Sequence, residues 1–412
     1  MPKKVLLGMS GGVDSSVSAV LLLEQGYEVI GGFMKNWSGE ALGASGESEE
    51  CEWRRERRDA MRVAGQLGLK FYTFDFEEQY RSKVYEYMID EYKAGRTPNP
   101  DVLCNKYMKF DLFLKEADRL GCDFIATGHY ARRTDDADGT AHLLMGVDEN
   151  KDQTYFLCQL NQEQLRRSLF PIGHLEKTKV REIAREHSLF VADKKDSQGI
   201  CFVGQVNMQQ FLEARIPPHE GNIVTTDGRV LGQHRGFEFY TIGQRGGLGI
   251  GGGAPLYVVD RKPETNEVVV AQGPDDPALF RSDLVATNLS ETIPGAINRI
   301  IGKTIMARIR YRQPLAECVV EALPLRSSMT RSFEGRVGAS DEALEEHSRH
   351  PRGSSLGSSV IALATTEASA KWEGGDPALN VRFSSPQRAV APGQFVAFYE
   401  GEELIGSGVI VK

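Results

Sequence analysis

The sequence predicts an α/β fold: an N-terminal parallel sheet flanked by helices, then a small central β-rich domain, then a C-terminal antiparallel β-barrel. Three observations predict it. From residue 3 to about residue 130, apolar runs of strand length alternate with helical periodicity. A Gly-rich turn, Ser10-Gly11-Gly12-Val13-Asp14-Ser15-Ser16, stands between the first apolar run and the first helix. After about residue 206 the helical period fades and short strands at barrel spacing replace it.

The elements read in order as follows. Val5, Leu6 and Leu7 mark a buried first strand, and Ser15–Gln25 a helix that Gly26 can end. Tyr27–Phe33 is a second strand, Glu52–Leu67 a charged helix, Lys70–Phe76 a third strand and Gln79–Lys93 a helix. Two prolines in Gly95–Asn105 argue for a stiff loop that is not helical. Met108–Leu120 is a helix and Phe124–Thr127 a fourth strand. Ala131–Arg133 and Leu143–Met145 form a hairpin through Asp138-Gly139, expected as an appendage of the parallel sheet. Lys177–Ser188 is an amphipathic helix with His187 expected on its packed face.

Gly243–Gly253 is Gly-rich around Arg245, and Leu256–Val259 pairs with Glu267–Val270. Thr304–Tyr311, Glu317–Ala322, Leu379–Phe383, Phe395–Tyr399 and Leu404–Val411 are barrel strands. Residues 324–378 are too rich in Ser, Gly, Glu and Arg to bury much apolar area, and a disordered or loosely folded insertion is expected. The expected domains are therefore 1–206, 207–278 and 279–412.

Bulk properties narrow the function. The chain of 412 residues is too long for one core, and 41% hydrophobic with 26% charged residues is a globular balance. No apolar run has membrane-spanning length, and Met1-Pro2-Lys3-Lys4 leaves no room for a leader before the first strand, so a cytoplasmic location with no membrane partner is expected. A net charge of −8 argues against a uniformly basic nucleic-acid binder but permits a local basic surface. None of the six cysteines forms a C-x-x-C pair, so no metal site and no disulfide framework is expected. Cys122 and Cys158 read as core, and His347 and His350 as solvated.

Two further segments carry chemistry. The Ser10–Ser16 turn offers backbone N–H groups at a helix N-terminus, which suits a phosphate chain, yet it lacks the Lys-Ser/Thr ending of a Walker loop. In Gly95–Asn105 a carboxylate, Asp101, precedes a thiol, Cys104, with Lys106 and Lys109 nearby. That combination fits a thiolate nucleophile with acid–base help, or a surface turn using Pro and Asn for shape. A second thiol, Cys201, lies between Gly199 and Gly204. The pair is open to reading as disulfide-capable or as two unrelated thiols. Arg308, Arg310 and Arg312 alternate along one expected strand and so share a face; Arg54, Arg55, Arg57 and Arg58 make a basic helix turn.

The turn resembles the pyrophosphate loop of N-type ATP pyrophosphatases, which cut ATP between its α and β phosphates. The ordered set GMSGGVDSSV, GRTPNPDVLCNKYMKF, ATGHYAR, KDQTYFL, DSQGICFVG, YTIGQRGGLGI, RIRYRQP and PGQFVAFY resembles the tRNA-specific 2-thiouridylase family. It spans nearly the whole chain except 324–378, which departs from the family's shorter loop. The resemblance implies that Gly8, Met9, Ser10, Gly11, Gly12, Val13, Asp14 and Ser15 bind ATP phosphates, with Met34 and Gly128 lining the nucleotide. It implies that Asn99, Pro100 and Asp101 contact the target base. Cys104 and Cys201 would be the catalytic cysteines, Cys201 carrying a persulfide, with Asp101 moving a proton or orienting the base. His129, Lys151, Asp152, Gln153, Arg310, Tyr311 and Gln394 would contact tRNA.

The implied reaction is 2-thiolation of the wobble uridine in the anticodon loop. The C2 oxygen is adenylated with loss of pyrophosphate, and sulfur then displaces AMP. ATP with Mg²⁺ is a substrate, no prosthetic group is needed, and a persulfide donor or relay protein is a partner. A base that leaves its stack to enter a pocket is also implied. An amidating synthetase would share the phosphate turn but has no use for two cysteines. A silent tRNA-binding protein would release no pyrophosphate.

Overall fold

The structure, a computed structural model, describes residues 2–38, 52–195, 212–323 and 377–412. Cys51, Cys201 and nearly all of 324–378 lie outside the described residues. The first unit is built on a parallel sheet of β1 (Lys4–Gly8), β2 (Glu28–Lys35), β3 (Lys70–Asp75), β4 (Phe124–Ala126) and β7 (Ser168–Leu169), in the order β3-β2-β1-β4-β7. β1 is buried on both faces, which is why its sequence is a continuous apolar run rather than an alternation. Val5, Leu7 and Met9 pack with α1 (Val13–Glu24), α2 (Glu52–Gln66) and the Lys177–Glu186 helix; Leu6 packs into the core on the other face.

Between β4 and β7 a hairpin of β5 (Ala131–Asp135) and β6 (Ala141–Met145) forms through the expected turn, with Gly139 at φ +85°. Its allegiance differs from expectation. β6 pairs with the last strand of the chain, so the hairpin extends the C-terminal sheet instead of the parallel one. The ladder runs Glu403–Leu144 and Leu404–Leu143, beside an ion pair of Arg132 with Glu402 at 2.8 Å and of His142 with Glu403 at 2.6 Å.

The middle of the chain is a four-stranded sheet of β8 (Gly221–Thr225), β9 (Val230–His234), β10 (Leu256–Lys262) and β11 (Glu267–Gln272), ordered β10-β11-β8-β9. β12 (Phe280–Glu291), β13 (Thr304–Arg308), β14 (Ala316–Leu323), β15 (Ala378–Arg388), β16 (Phe395–Glu400) and β17 (Glu403–Ile410) follow. β12 pairs with both β15 and β17, which closes six antiparallel strands into a barrel and leaves those strands without an open edge.

Two sequence expectations fail here. β13 ends at Arg308, so Arg308, Arg310 and Arg312 do not line one strand face; Arg312 has φ +62°, which turns the chain. His187 is exposed beside Glu24 rather than packed, because the helix has ended at Glu186.

Candidate active site

The phosphate turn sits past the carboxyl end of β1, where β1 has β2 on one side and β4 on the other. That is the crevice in which open α/β sheets hold ligands. Gly12 caps α1 with extended backbone, leaving the first-turn N–H groups of the helix pointing out of the turn. The hydroxyl of Ser15 accepts from Ser10 N at 3.2 Å, and Ser16 Oγ donates to the Gly12 carbonyl at 2.8 Å. Gly11 has φ +76°, and a Cβ there would collide with the Glu56 carbonyl of α2. A Cβ on Gly128 would lie 2.9 Å from Ser15 N. Both glycines let neighbouring backbone press on the turn and fix its shape.

Four residues missed from the sequence complete this turn. Asp14 holds Lys177 Nζ through both carboxylate oxygens, at 2.7 and 2.8 Å, and accepts from Tyr130 Oη at 2.8 Å. Tyr130 N in turn donates to Gln153 Oε1, so Gln153 is linked to the phosphate turn. Lys194 Nζ donates to the Gly11 carbonyl at 3.0 Å and pairs with Asp59 at 2.7 Å. Two ammonium groups therefore flank a turn whose own sequence carries no lysine. Separations in sequence of more than 160 residues hid both from motif reading.

Cys104 is on a helix, not a loop. Asn99 is the N-cap, accepting from Val102 N at 3.3 Å, and Pro100 is the first helical residue, where the missing N–H is harmless. Pro100–Leu103 runs directly into the wider-wound helical stretch Cys104–Leu112 and then Phe113–Arg119. Pro100 thus starts a helix inside a segment expected to be a loop. Phe113 fills the space left by Gly8 and Gly32, so this helix crosses the strands that carry the phosphate turn. Met34 also reaches Gly8. Cys104 is fully buried, with Asn36 Nδ2 3.8 Å from its sulfur. Cys122 and Cys158 are core thiols as read, and burial pushes Cys158 up to about 12.

The barrel completes the cysteine region. Gln394 Nε2 donates to the carbonyls of Thr97 at 2.8 Å and Pro98 at 3.1 Å, and Gln394 Oε1 accepts from Asn99 Nδ2 at 3.2 Å. Thr97 N donates to the Pro392 carbonyl at 2.7 Å. Asn99 and Gln394, read as base and tRNA residues, are therefore brought together. Other expected tRNA residues have interior contacts. Asp152 is 1% exposed and pairs at 2.7 Å with Arg308, itself 5% exposed, while also accepting from Gly146 N and Thr154 N. His129 is buried against Phe110 and Phe170, with Nδ1 2.8 Å from Thr127 Oγ1. Burial first, and Lys109 second, hold its pKa well below the ordinary histidine value, so it is neutral. Arg310 is half-buried and donates to the Ile242 and Ala389 carbonyls, which ties the barrel to the middle sheet. Tyr311 packs on Phe156 at 4.6 Å beneath the Arg312 guanidinium. Lys151 is half-buried. Among the described residues, no group of three His, Cys, Asp or Glu side chains is placed to hold a metal ion, and no helix is long and apolar enough to cross a membrane.

Fold and turn together define a HUP-type α/β unit carrying two β-rich domains. Residues 3–205 match the family model described as the tRNA methyl transferase HUP domain, 209–272 the tRNA methyl transferase PRC-barrel domain, and 363–410 the aminomethyltransferase β-barrel domain. The chain is 46% identical to the tRNA-specific 2-thiouridylase MnmA of Bacillus velezensis, covering 99% of this chain and 94% of that protein. It is 45% identical to the same-named protein of Bacillus licheniformis over 99% and 94%, and 43% identical to that of Streptococcus mutans over 99% and 95%. The chain belongs to the MnmA family of tRNA-specific 2-thiouridylases. A solved 4-thiouridine synthetase–RNA complex with bound ATP overlaps 52% of this chain and 50% of that one at 16% identity and a TM-score of 0.31, too little to bear on function.

Proposed function

We propose that this chain is an ATP-dependent tRNA thiolase that replaces the C2 oxygen of the wobble uridine by sulfur. The observation that supports it most is the adjacency of two unlike features at the carboxyl ends of neighbouring strands. β1 leads to the phosphate turn, the neighbouring β2 leads to Asn36, and Asn36 touches Cys104. A phosphate site alone fits many adenylating enzymes. A thiol beside it fits sulfur chemistry on an activated oxygen.

ATP, accompanied by Mg²⁺, lies with its phosphates on Gly8–Ser15 and its nucleoside near Met34 and Gly128. The uracil C2 oxygen attacks the α phosphorus, pyrophosphate leaves, and the oxygen becomes part of an AMP leaving group. The helix N-terminus of α1, Lys177 and Lys194 offset the charge that develops on pyrophosphate. The terminal sulfur of a persulfide on Cys201, loaded by a separate donor protein, attacks C2 and expels AMP with the original oxygen. Cys104 then attacks the Cys201 sulfur, releasing 2-thiouridine and leaving a disulfide that a thiol reductant reopens. Asp101, in the first turn of the Cys104 helix, orients the base or moves a proton. Cys104 is fully buried. Lys151, Gln153, Tyr311 and Gln394 remain the proposed tRNA-side contacts, and this chemistry is expected in the cytoplasm.

The test is to incubate the chain with ATP, Mg²⁺, a persulfide donor and unmodified tRNA. Equal yields of 2-thiouridine and pyrophosphate are expected. Cys104→Ser and Cys201→Ser should stop thiolation with ATP and tRNA still bound. Full thiolation by Cys201→Ser would contradict the persulfide step.

A further inference from the structure

Asn36 directly follows β2 and is 1% exposed. Its Nδ2 is directed at Cys104 Sγ, 3.8 Å away. Its Oδ1 is buried and has no hydrogen-bond partner among the described residues. Buried acceptors in folded proteins nearly always have donors, because leaving one unmade carries the full cost of desolvation. Met34, two residues earlier, packs at Gly8, where the phosphate turn begins. Met34 and Asn36 therefore lead from the nucleotide turn to the thiol. The neighbouring side chains are held firmly. Ser38 Oγ donates to Glu77 at 2.5 Å, Lys35 pairs with Asp75 and Glu77 at 3.0 Å, and Trp37 packs on Tyr85 at 5.0 Å. A firmly held backbone keeps the carboxamide aimed at one place.

Resting on the thiolation reading, we propose that Asn36 is a target-base residue: its Oδ1 accepts the N3–H of the uracil while its Nδ2 stays on the Cys104 sulfur. N3 is bonded to C2, the carbon that exchanges oxygen for sulfur. An acceptor for N3–H beside Cys104 therefore sets C2 next to the thiol. It also excludes cytosine, whose N3 carries a lone pair and would leave Oδ1 unsatisfied and repelled.

The experiment compares full-length tRNA substrates with uridine or 3-methyluridine at the wobble position. Both present the same C2 oxygen, but only the first has a proton on N3. Wild type should thiolate uridine about tenfold to a hundredfold faster in kcat/KM. Asn36→Ala should lose rate on uridine by a similar factor and treat the two substrates alike. Asn36→Asp, which keeps an acceptor in place, should retain the preference for uridine. Undiminished discrimination in Asn36→Ala, or loss of it in a folded Asn36→Asp, would overturn the assignment. A wild type that thiolates neither substrate would instead overturn the functional reading on which it rests.

Discussion

The phosphate turn and the Cys104 region meet the carboxyl ends of neighbouring strands, β1 and β2, but are built differently. The turn is made by seven consecutive residues, and its own hydroxyls and carbonyls hold most of it. The Cys104 region is assembled from distant parts. Its entry loop is held by Gln394 of the barrel, its sulfur is approached by Asn36 just after β2, and the next residue, Asn105, donates to the Phe156 carbonyl. On the proposed reading, ATP chemistry depends mainly on this local turn and the two lysines that flank it, and sulfur chemistry on how the barrel docks. Damage to the docking should separate the two activities.

The largest effect is expected from the buried ion pair. Asp152→Ala leaves Arg308 charged and unpaired in the interior, which costs about 3–5 kcal/mol of stability. Denaturant unfolding followed by circular dichroism should show it. A loss below about 1 kcal/mol, with weakened tRNA binding, would return Asp152 to the tRNA surface.

Gly11→Ala attacks the local site instead. It forces a left-handed backbone and a clash with Glu56, and misplacing the turn should lower tRNA-dependent pyrophosphate release about a hundredfold. Unchanged release would remove this turn from the nucleotide site.

Gln394→Ala sharpens the contrast. It removes three hydrogen bonds to Thr97, Pro98 and Asn99. Thiolation should slow about tenfold, as for an interaction of about 1–3 kcal/mol. ATP binding, measured by calorimetry, should stay as in wild type. Equal loss of both would contradict the division of labour.

The smallest effect is a pH dependence at the hairpin–barrel seam. The hydrogen bond from His142 to Glu403 raises the histidine pKa above 6.5; burial opposes it and Asp136 adds to it. A group with a raised folded pKa stabilises fully below its unfolded value and loses that contribution as pH rises through the folded value. The melting-temperature gap between wild type and His142→Gln should therefore be widest below pH 6.5 and close as the pH rises past the elevated pKa. A gap that widens with pH would contradict it.

The same division explains what was legible in the sequence. Ser10–Ser16 could be read because a strand, a Gly-rich turn and a helix are local patterns, and the parallel sheet followed from their repetition. The Cys104 helix was misread because a proline that breaks a helix interior is favoured at its first position, and only the Asn99 cap tells the two apart. Alternating arginines looked like a basic face because nothing local reveals that Asp152 receives Arg308 across 156 residues. Lys177 and Lys194 were invisible for the same reason. The hairpin was found, but its partner strand lies at the other end of the chain.

The most direct measurement follows one oxygen atom. Transfer RNA carrying ¹⁸O at C2 of the wobble uridine is thiolated in a single turnover, and the nucleotide products are weighed by mass spectrometry. If the C2 oxygen is adenylated, AMP gains one ¹⁸O for each 2-thiouridine formed, and pyrophosphate gains none. Label in inorganic phosphate or in water, with unlabelled AMP, would contradict adenylation as the activating step.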